Sequence, residues 1–590
     1  MFRRRFSSFC VILYWVCAFR LGPPSVWAEP TLLWEPCPTG RSALLSEPHM
    51  EPSSPVRFSG LFLERLQRDL EVGDVLQIPL FDGRAGEWMI SGLQHPGPGR
   101  SILRAALRGD RTADLQLAVR GFVGAGLFTF HDGERIFLEP GSGGLRLVRL
   151  NSDWSPACAA IRPPASSHMA QGEQPTPTLQ GPEATNLVYV ADVLVAYTSD
   201  ARVGAGGAVG MAALIDLAEA QANDVLEASR TRLRIRVVHQ TEIAYVESGN
   251  LNTDLTRLRD TNDGQLDVVH ALRNTHQADL VCLFVERSDS NVAGIAYVMS
   301  PVQNSFRADA FSVVQRSPAL AYHVFIHELG HNFGCHHDRA ANASGGAFAY
   351  SHGHKFQAEF LDRHTVMALS PGRIVPQFSN PAITFKGVPT GIAAGQPNAA
   401  DNALSIHNAA PTIAAFRMPA VTTTLPAAEI AFPTNGAAYY DGVSLTVTGA
   451  AVTGNGTPAS VELRSSSLGS IGVRTNAPYS FSLNRLAVGQ HDLRLKVTDG
   501  AGFTAHSPEV LITVSGTPPD IDPSASRFEP DGSFRVRVIG AAGQSFVLER
   551  SPDLAEWRPL TTNTLPGSAW DFSDAAMPAG VQRFYRITPR

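Results

Sequence analysis

The residues best placed to do chemistry lie together in His327-Glu328-Leu329-Gly330-His331-Asn332-Phe333-Gly334-Cys335-His336-His337-Asp338. Two histidines four apart stand one above the other on a helix face, because about 3.6 residues make a turn. His327 and His331 are therefore spaced to hold one ion. Glu328, next to the first of them, projects beside that ion rather than into its coordination shell. Gly334 is the residue type that ends a helix with positive φ, and the reversed chain then brings back His337 as a third nitrogen donor. Three neutral imidazoles leave the fourth position of a zinc ion open for water, the pattern of a catalytic rather than a structural site. A carboxylate beside such a water is placed to take its proton.

This spacing resembles the metzincin signature, and Asp338 directly after the third histidine resembles the adamalysin (reprolysin) branch. The resemblance implies a methionine turn beneath the metal, and Met367 in His364-Thr365-Val366-Met367-Ala368 stands at the implied distance. Arg373 to Pro381 is similar to the family's specificity wall and exit segment. Leu369 occupies the position where astacin-like and serralysin-like relatives place an extra tyrosine ligand. What the resemblance implies is an exported zinc-dependent endopeptidase acting on protein or peptide. His327, His331 and His337 would be ligands, Glu328 the general base, and Gly334 and Asp338 supports of the loop. By the same analogy, acidic residues near Asp192 and Asp279 are candidate ligands for a structural calcium ion.

Each residue also has an ordinary reading. A bare HExxH arises by chance, but the extended motif with Gly334, His337, Asp338 and Met367 is far harder to obtain by accident. Met367 alone would be a core methionine, and packing is its expected role under the ligands. His323 and His336 are expected not to be ligands, and His352, His354 and His364 are expected on the surface or behind the ligands. Two rivals differ in class: an adhesion or binding protein built on a silent peptidase scaffold, and a zinc hydrolase of another amide. Intact Glu328 argues against the first.

The elements that must position these residues follow from hydrophobic pattern. Leu187 to Ala196 and Leu280 to Val285 are apolar runs that predict buried strands, and Leu233, Ile235 and Val237 alternate as another. Met211, Leu214, Ile215, Ala218, Ala222, Val225 and Leu226 recur at helical spacing. Strand, helix, strand, helix, strand before the metal helix resembles the first half of a metzincin domain, an α/β fold with a mixed twisted sheet and long helices. Gly294-Ile295-Ala296-Tyr297-Val298-Met299 resembles the family's edge strand, whose free backbone groups an extended substrate can pair with. An ordinary sheet strand is the alternative.

The whole chain reads as multidomain. Its 590 residues are 44% hydrophobic and 17% charged, which excludes wholesale disorder. Met1-Phe2-Arg3-Arg4-Arg5, an apolar core from Phe9 to Phe19 and Val26-Trp27-Ala28 form a signal peptide over residues 1–28. No later segment has the apolar length to span a membrane. Without those 28 residues the formal charge falls from −6 to −10, against a nucleic acid or anionic membrane partner. Residues 29–161 alternate as a mostly β, propeptide-like domain, and 162–185 form a linker. The catalytic domain is expected over 186–418. An Ig-like β-sandwich follows over 428–515 and a small β module over 520–590. These modules carry no catalytic cluster, and binding to a surface, glycan or protein stands beside inert spacing as their role. Four cysteines survive the signal peptide, Cys37, Cys158, Cys282 and Cys335, and their pairing is left open. Cys158 or Cys37 is also a candidate thiolate for the metal's open position, making the chain a zymogen, with a Cys37–Cys158 disulfide as the alternative.

Overall fold

The computed structural model describes residues 31–36, 54–163, 187–418 and 421–589. Short internal segments are excepted: 81–84, 109–112, 131–132, 152–156, 287–291, 441–443, 454–457, 466–467, 485, 501–502, 517, 541–543 and 576–581. The expected signal peptide (1–28), Cys37 and nearly all of the expected linker (162–185) lie outside the described residues.

The N-terminal domain is mostly β, in accord with its alternating pattern. Seven strands between Val75 and Leu150 form a meander, and short strands at each edge bring the sheet to ten. One helix, Gly60–Arg68, starts where the Ser59 hydroxyl accepts from Phe62 N at 3.0 Å. Its apolar face packs with Trp34, Trp88 and Phe128 in one buried cluster.

The next domain carries the metal motif. In its sheet Leu187–Tyr197 lies next to the edge, flanked in parallel by the edge strand Leu233–Glu242 and by Leu280–Val285. Phe311–Gln315 continues in parallel, and Val292–Tyr297 closes this domain's sheet in antiparallel sense. Near-continuous apolar strands are what a sheet covered on both faces requires. The long helix Ala208–Ala228 buries Met211, Leu214, Ile215, Ala218, Ala222, Val225 and Leu226, the residues whose spacing announced it. The helix Val324–Asn332 is buried along its entire length and packs against the last two strands. Asn332 Nδ2 pins its end to both, donating to Tyr297 O at 2.8 Å and to Phe311 O at 3.2 Å.

Two boundaries differ from the sequence reading. Val421–Thr424, in the gap between the expected catalytic and Ig-like domains, is a strand antiparallel to Leu187–Val190, so the chain leaving this domain is hydrogen-bonded to the chain entering it. And Val292–Tyr297 is not free: Ala157–Ile161 of the N-terminal domain pairs with it in parallel, Cys158 opposite Gly294.

Beyond Thr424 the chain forms a two-sheet sandwich whose core includes Val447, Leu463, Phe481, Leu495 and Ile512. The last module is a smaller pair of sheets around Val536, Val538, Phe546 and Leu548. Among the described residues no helix is long and apolar enough to cross a membrane.

Candidate metal centre

The metal helix ends as its sequence dictates. Gly334 has φ 90°, Gly334 N donates to His331 O at 3.0 Å, and Cys335 N donates to Gly330 O at 2.9 Å. That pair of bonds is a Schellman turn, which needs a left-handed residue at Gly334. The reversed chain is then held to its surroundings. Ala347 N donates to Gly334 O at 2.8 Å and His336 N to Ser351 O at 2.9 Å. His352 Nδ1 donates to His337 O at 3.0 Å.

This turn brings the three predicted nitrogens together. His337 Nε2 lies 3.2 Å from His327 Nε2 and 3.1 Å from His331 Nε2. The opposite ring nitrogens are spoken for: His327 Nδ1 donates to Val366 O at 2.7 Å and His331 Nδ1 to Cys335 O at 3.0 Å. Those bonds fix the tautomer and leave the Nε2 lone pairs of both rings aimed inward. Burial lowers the pKa of all three, to about 4 for His327 and about 2 for His337, so the imidazoles are neutral. Lone pairs that face one another at this distance repel unless a cation lies between them. A tetrahedral zinc with bonds of 2.0–2.1 Å would set nitrogens about 3.3 Å apart, so the donor set fits the ion.

Glu328 is fully buried beside them, and neither of its oxygens has a nitrogen or oxygen partner. Burial pushes its carboxyl well above the usual range, and the Cys158 thiol beside it draws it back in part. Gly294 makes room for it, since a Cβ there would lie 2.3 Å from Glu328 Oε1. Met367 is buried under the helix, where a Cβ on Gly330 would come within 2.5 Å of its sulfur. Asp338 Oδ2 accepts from Leu369 N at 3.0 Å and lies 3.4 Å from Lys355 Nζ, joining the third histidine's loop to the methionine turn.

The remaining predicted residues fall as follows. Ile295, Ala296 and Tyr297 continue the strand from Gly294, while Val298 lies just past it with its N–H on Ile161 O at 2.9 Å. His323 caps the helix start with φ 58° and lies outside the cluster of Cys158, His327, His331 and His337. His336 points its Nδ1 at His337 N, 2.8 Å away, and also stays out of the cluster. His352 and His364 are buried, not superficial, and His364 lines a small cavity with His327, Cys158 and Ile374. Both carboxylates named for calcium have protein partners. Asp192 is held by Arg236 at 2.8 and 2.9 Å, and Asp279 accepts from Asp192 N at 2.9 Å and Arg417 N at 3.1 Å.

Cys158 is the residue that sequence spacing could offer only as one of two candidates. Its sulfur lies 3.4 Å from His331 Nε2, and it groups with the three histidines within 4.8 Å. Cys282 and Cys335 are buried free thiols, so Cys335 braces its loop without a disulfide, by a contact of 3.7 Å to Asn402 O.

Residues 189–379 match the model described as Metallo-peptidase family M12, of reprolysin type, and 426–495 match a bacterial Ig domain. The chain is 35% identical over 229 residues to a peptidyl-Asp metalloendopeptidase of Stenotrophomonas maltophilia, covering 38% of this chain and 52% of that protein. One from Xanthomonas campestris is 36% identical over 228 residues, 38% of this chain and 51% of that protein. One from Pseudomonas fragi is 30% identical over 176 residues, 29% of this chain and 85% of that protein. The chain thus spans about half the length of the Stenotrophomonas and Xanthomonas relatives. With its metal motif folded as described, the chain belongs to the reprolysin-like metallopeptidases of family M12 and carries a bacterial Ig domain behind the peptidase domain.

Proposed function

We propose that this chain is the latent form of an exported zinc metalloendopeptidase. The observation that carries the reading is the convergence of three neutral Nε2 atoms beside the buried Glu328 carboxyl. His327, His331 and His337 would hold zinc, which supplies a Lewis acid that lowers the pKa of a water and polarises the scissile carbonyl. With the covering segment gone and a metal cation beside it, Glu328 would be ionised, and it then takes the proton of the attacking water and passes it to the leaving amine. A substrate strand gains its main-chain hydrogen bonds from Val292–Tyr297. The relatives' names make peptide bonds next to aspartate the first to test.

In the chain as folded that place is taken. Ala157–Ile161 uses the backbone groups of the strand, and Cys158 stands where a fourth ligand belongs. The N-terminal domain is thus an inhibitor in cis, and the linker 162–185 the segment to be cut. Residues 1–28 carry the export signal.

The deciding experiment compares the processed protein with its Glu328→Ala variant on an unfolded protein and on Asp-containing peptides. Cleavage should stop in the variant and on chelation, while the variant still binds one zinc by elemental analysis. A processed protein that holds no zinc, or a variant that cleaves undiminished, overturns the reading.

A further inference from the structure

The Ig domain does not stand apart from the latent assembly. A cavity of about 380 Å³ lies where three domains meet, lined by Arg104 and Asp114 of the N-terminal domain, Glu227 of the long helix, and Arg464, Lys496 and His506 of the Ig domain. Asp114 shares the lining of this cavity with Arg464 and Lys496, and burial pushes its carboxyl up while those two cations and Arg104 of its own sheet oppose the shift. His506 Nδ1 lies 3.4 Å from Glu227 Oε1. The strand Gly469–Arg474 of the Ig domain lies against Ala85–Gly97 of the N-terminal domain. The Ig domain is itself anchored, because Val421–Thr424 pairs with the first strand of the peptidase directly after the linker.

We infer that the Ig domain is a docking partner of the N-terminal domain and slows its departure once the linker is cut. The surface is the face around Lys496 and Arg464, where Glu462 also lies, 3.8 Å from Arg464, and the occupant is the Asp114 side of the N-terminal sheet. Cutting residues 162–185 breaks the covalent link but none of these contacts. Charge pairs across an interface act chiefly on dissociation when they are desolvated. The inference rests on the reading of the N-terminal domain as a releasable inhibitor.

The test uses the full chain with a specific protease site placed in 162–185. After the cut, separation of the N-terminal fragment is followed by size-exclusion chromatography, and peptide cleavage is followed in parallel. Lys496→Glu and Asp114→Lys should each speed separation roughly tenfold, and the two together should restore the slow rate. Once the fragment is gone, all forms should cleave equally. Single variants that separate at the wild-type rate, or a double variant as fast as the singles, overturn the inference. Separation without any gain in cleavage would instead sink the inhibitor reading and leave the separation rates to decide this one.

Discussion

Gly294 shows how narrowly single residues define the centre. Its missing side chain is replaced by the Glu328 carboxyl, which a methyl group would meet at 2.3 Å. Gly294→Ala should therefore displace the base and lower kcat/KM about a hundredfold, while far-UV circular dichroism stays that of the wild type. Activity within a few-fold of wild type would show that Glu328 tolerates the shift. Cys158 is a second single-residue control. Cys158→Ser replaces the sulfur beside His331 with a weaker metal ligand, so the uncut chain should cleave a peptide that uncut wild type leaves intact. Both chains inert until the linker is cut would remove the thiol from the latency mechanism. The convergence of His327, His331 and His337 beside Glu328 was legible because they sit within one helix and one turn, where local spacing fixes geometry. Cys158 was legible only as one of two candidate thiols, since 173 residues separate it from His331 and a strand pairing alone aligns them.

At the scale of elements, Asp279 joins three segments: it precedes Leu280–Val285 and accepts the backbone N–H groups of Asp192 and Arg417. Burial raises its pKa from 3.8 to about 6. The folded form therefore holds a proton that the unfolded chain has released between those values. Its stabilising contribution is complete below 3.8 and is lost as pH rises through about 6. Asp279→Asn removes that titration but sets an NH2 donor against one of the two N–H groups, which bond to different oxygens. Relative to wild type it should be less stable at pH 4, and the deficit should shrink by up to about 3 kcal/mol at pH 7. A deficit of the same size at both pH values would show that the carboxyl does not titrate in this range. Periodicity made the long helix and the buried strands readable, since burial on one or both faces is written in which residues repeat. It could not reveal that Val421–Thr424 pairs, because threonines between two prolines and a module boundary satisfy linker and strand alike.

For the molecule as a whole, the N-terminal domain is held by charge as well as by shape. Arg100 and Arg120 meet Asp216 at 2.9 and 2.6 Å, and Arg104 meets Asp224 at 2.8 Å. Glu139, fully buried, lies 2.7 Å from Arg316 of the peptidase and 2.6 Å from Arg146 of its own domain. Glu139→Gln leaves Arg316 with Glu286 as its remaining acidic partner, at 2.7 Å, and should weaken docking by about 1–3 kcal/mol. Denaturant titration of the uncut chain, read by the appearance of peptide cleavage, should show an earlier onset; an unchanged onset would mean that the pair is not part of the grip. A multidomain chain was legible from changes in composition, but these pairings were not, because arginines and acids on separate domains carry no mutual register in sequence. The stitched strands Leu187–Val190 and Val421–Thr424 have a practical corollary. The family match stops at residue 379, yet Ile406, Ala409 and Ile413 of the later helix lie in the same core. A recombinant fragment trimmed to the homology limits would expose apolar surface and a raw sheet margin, the template on which chains aggregate. The smallest piece worth expressing runs from residue 187 through residue 424.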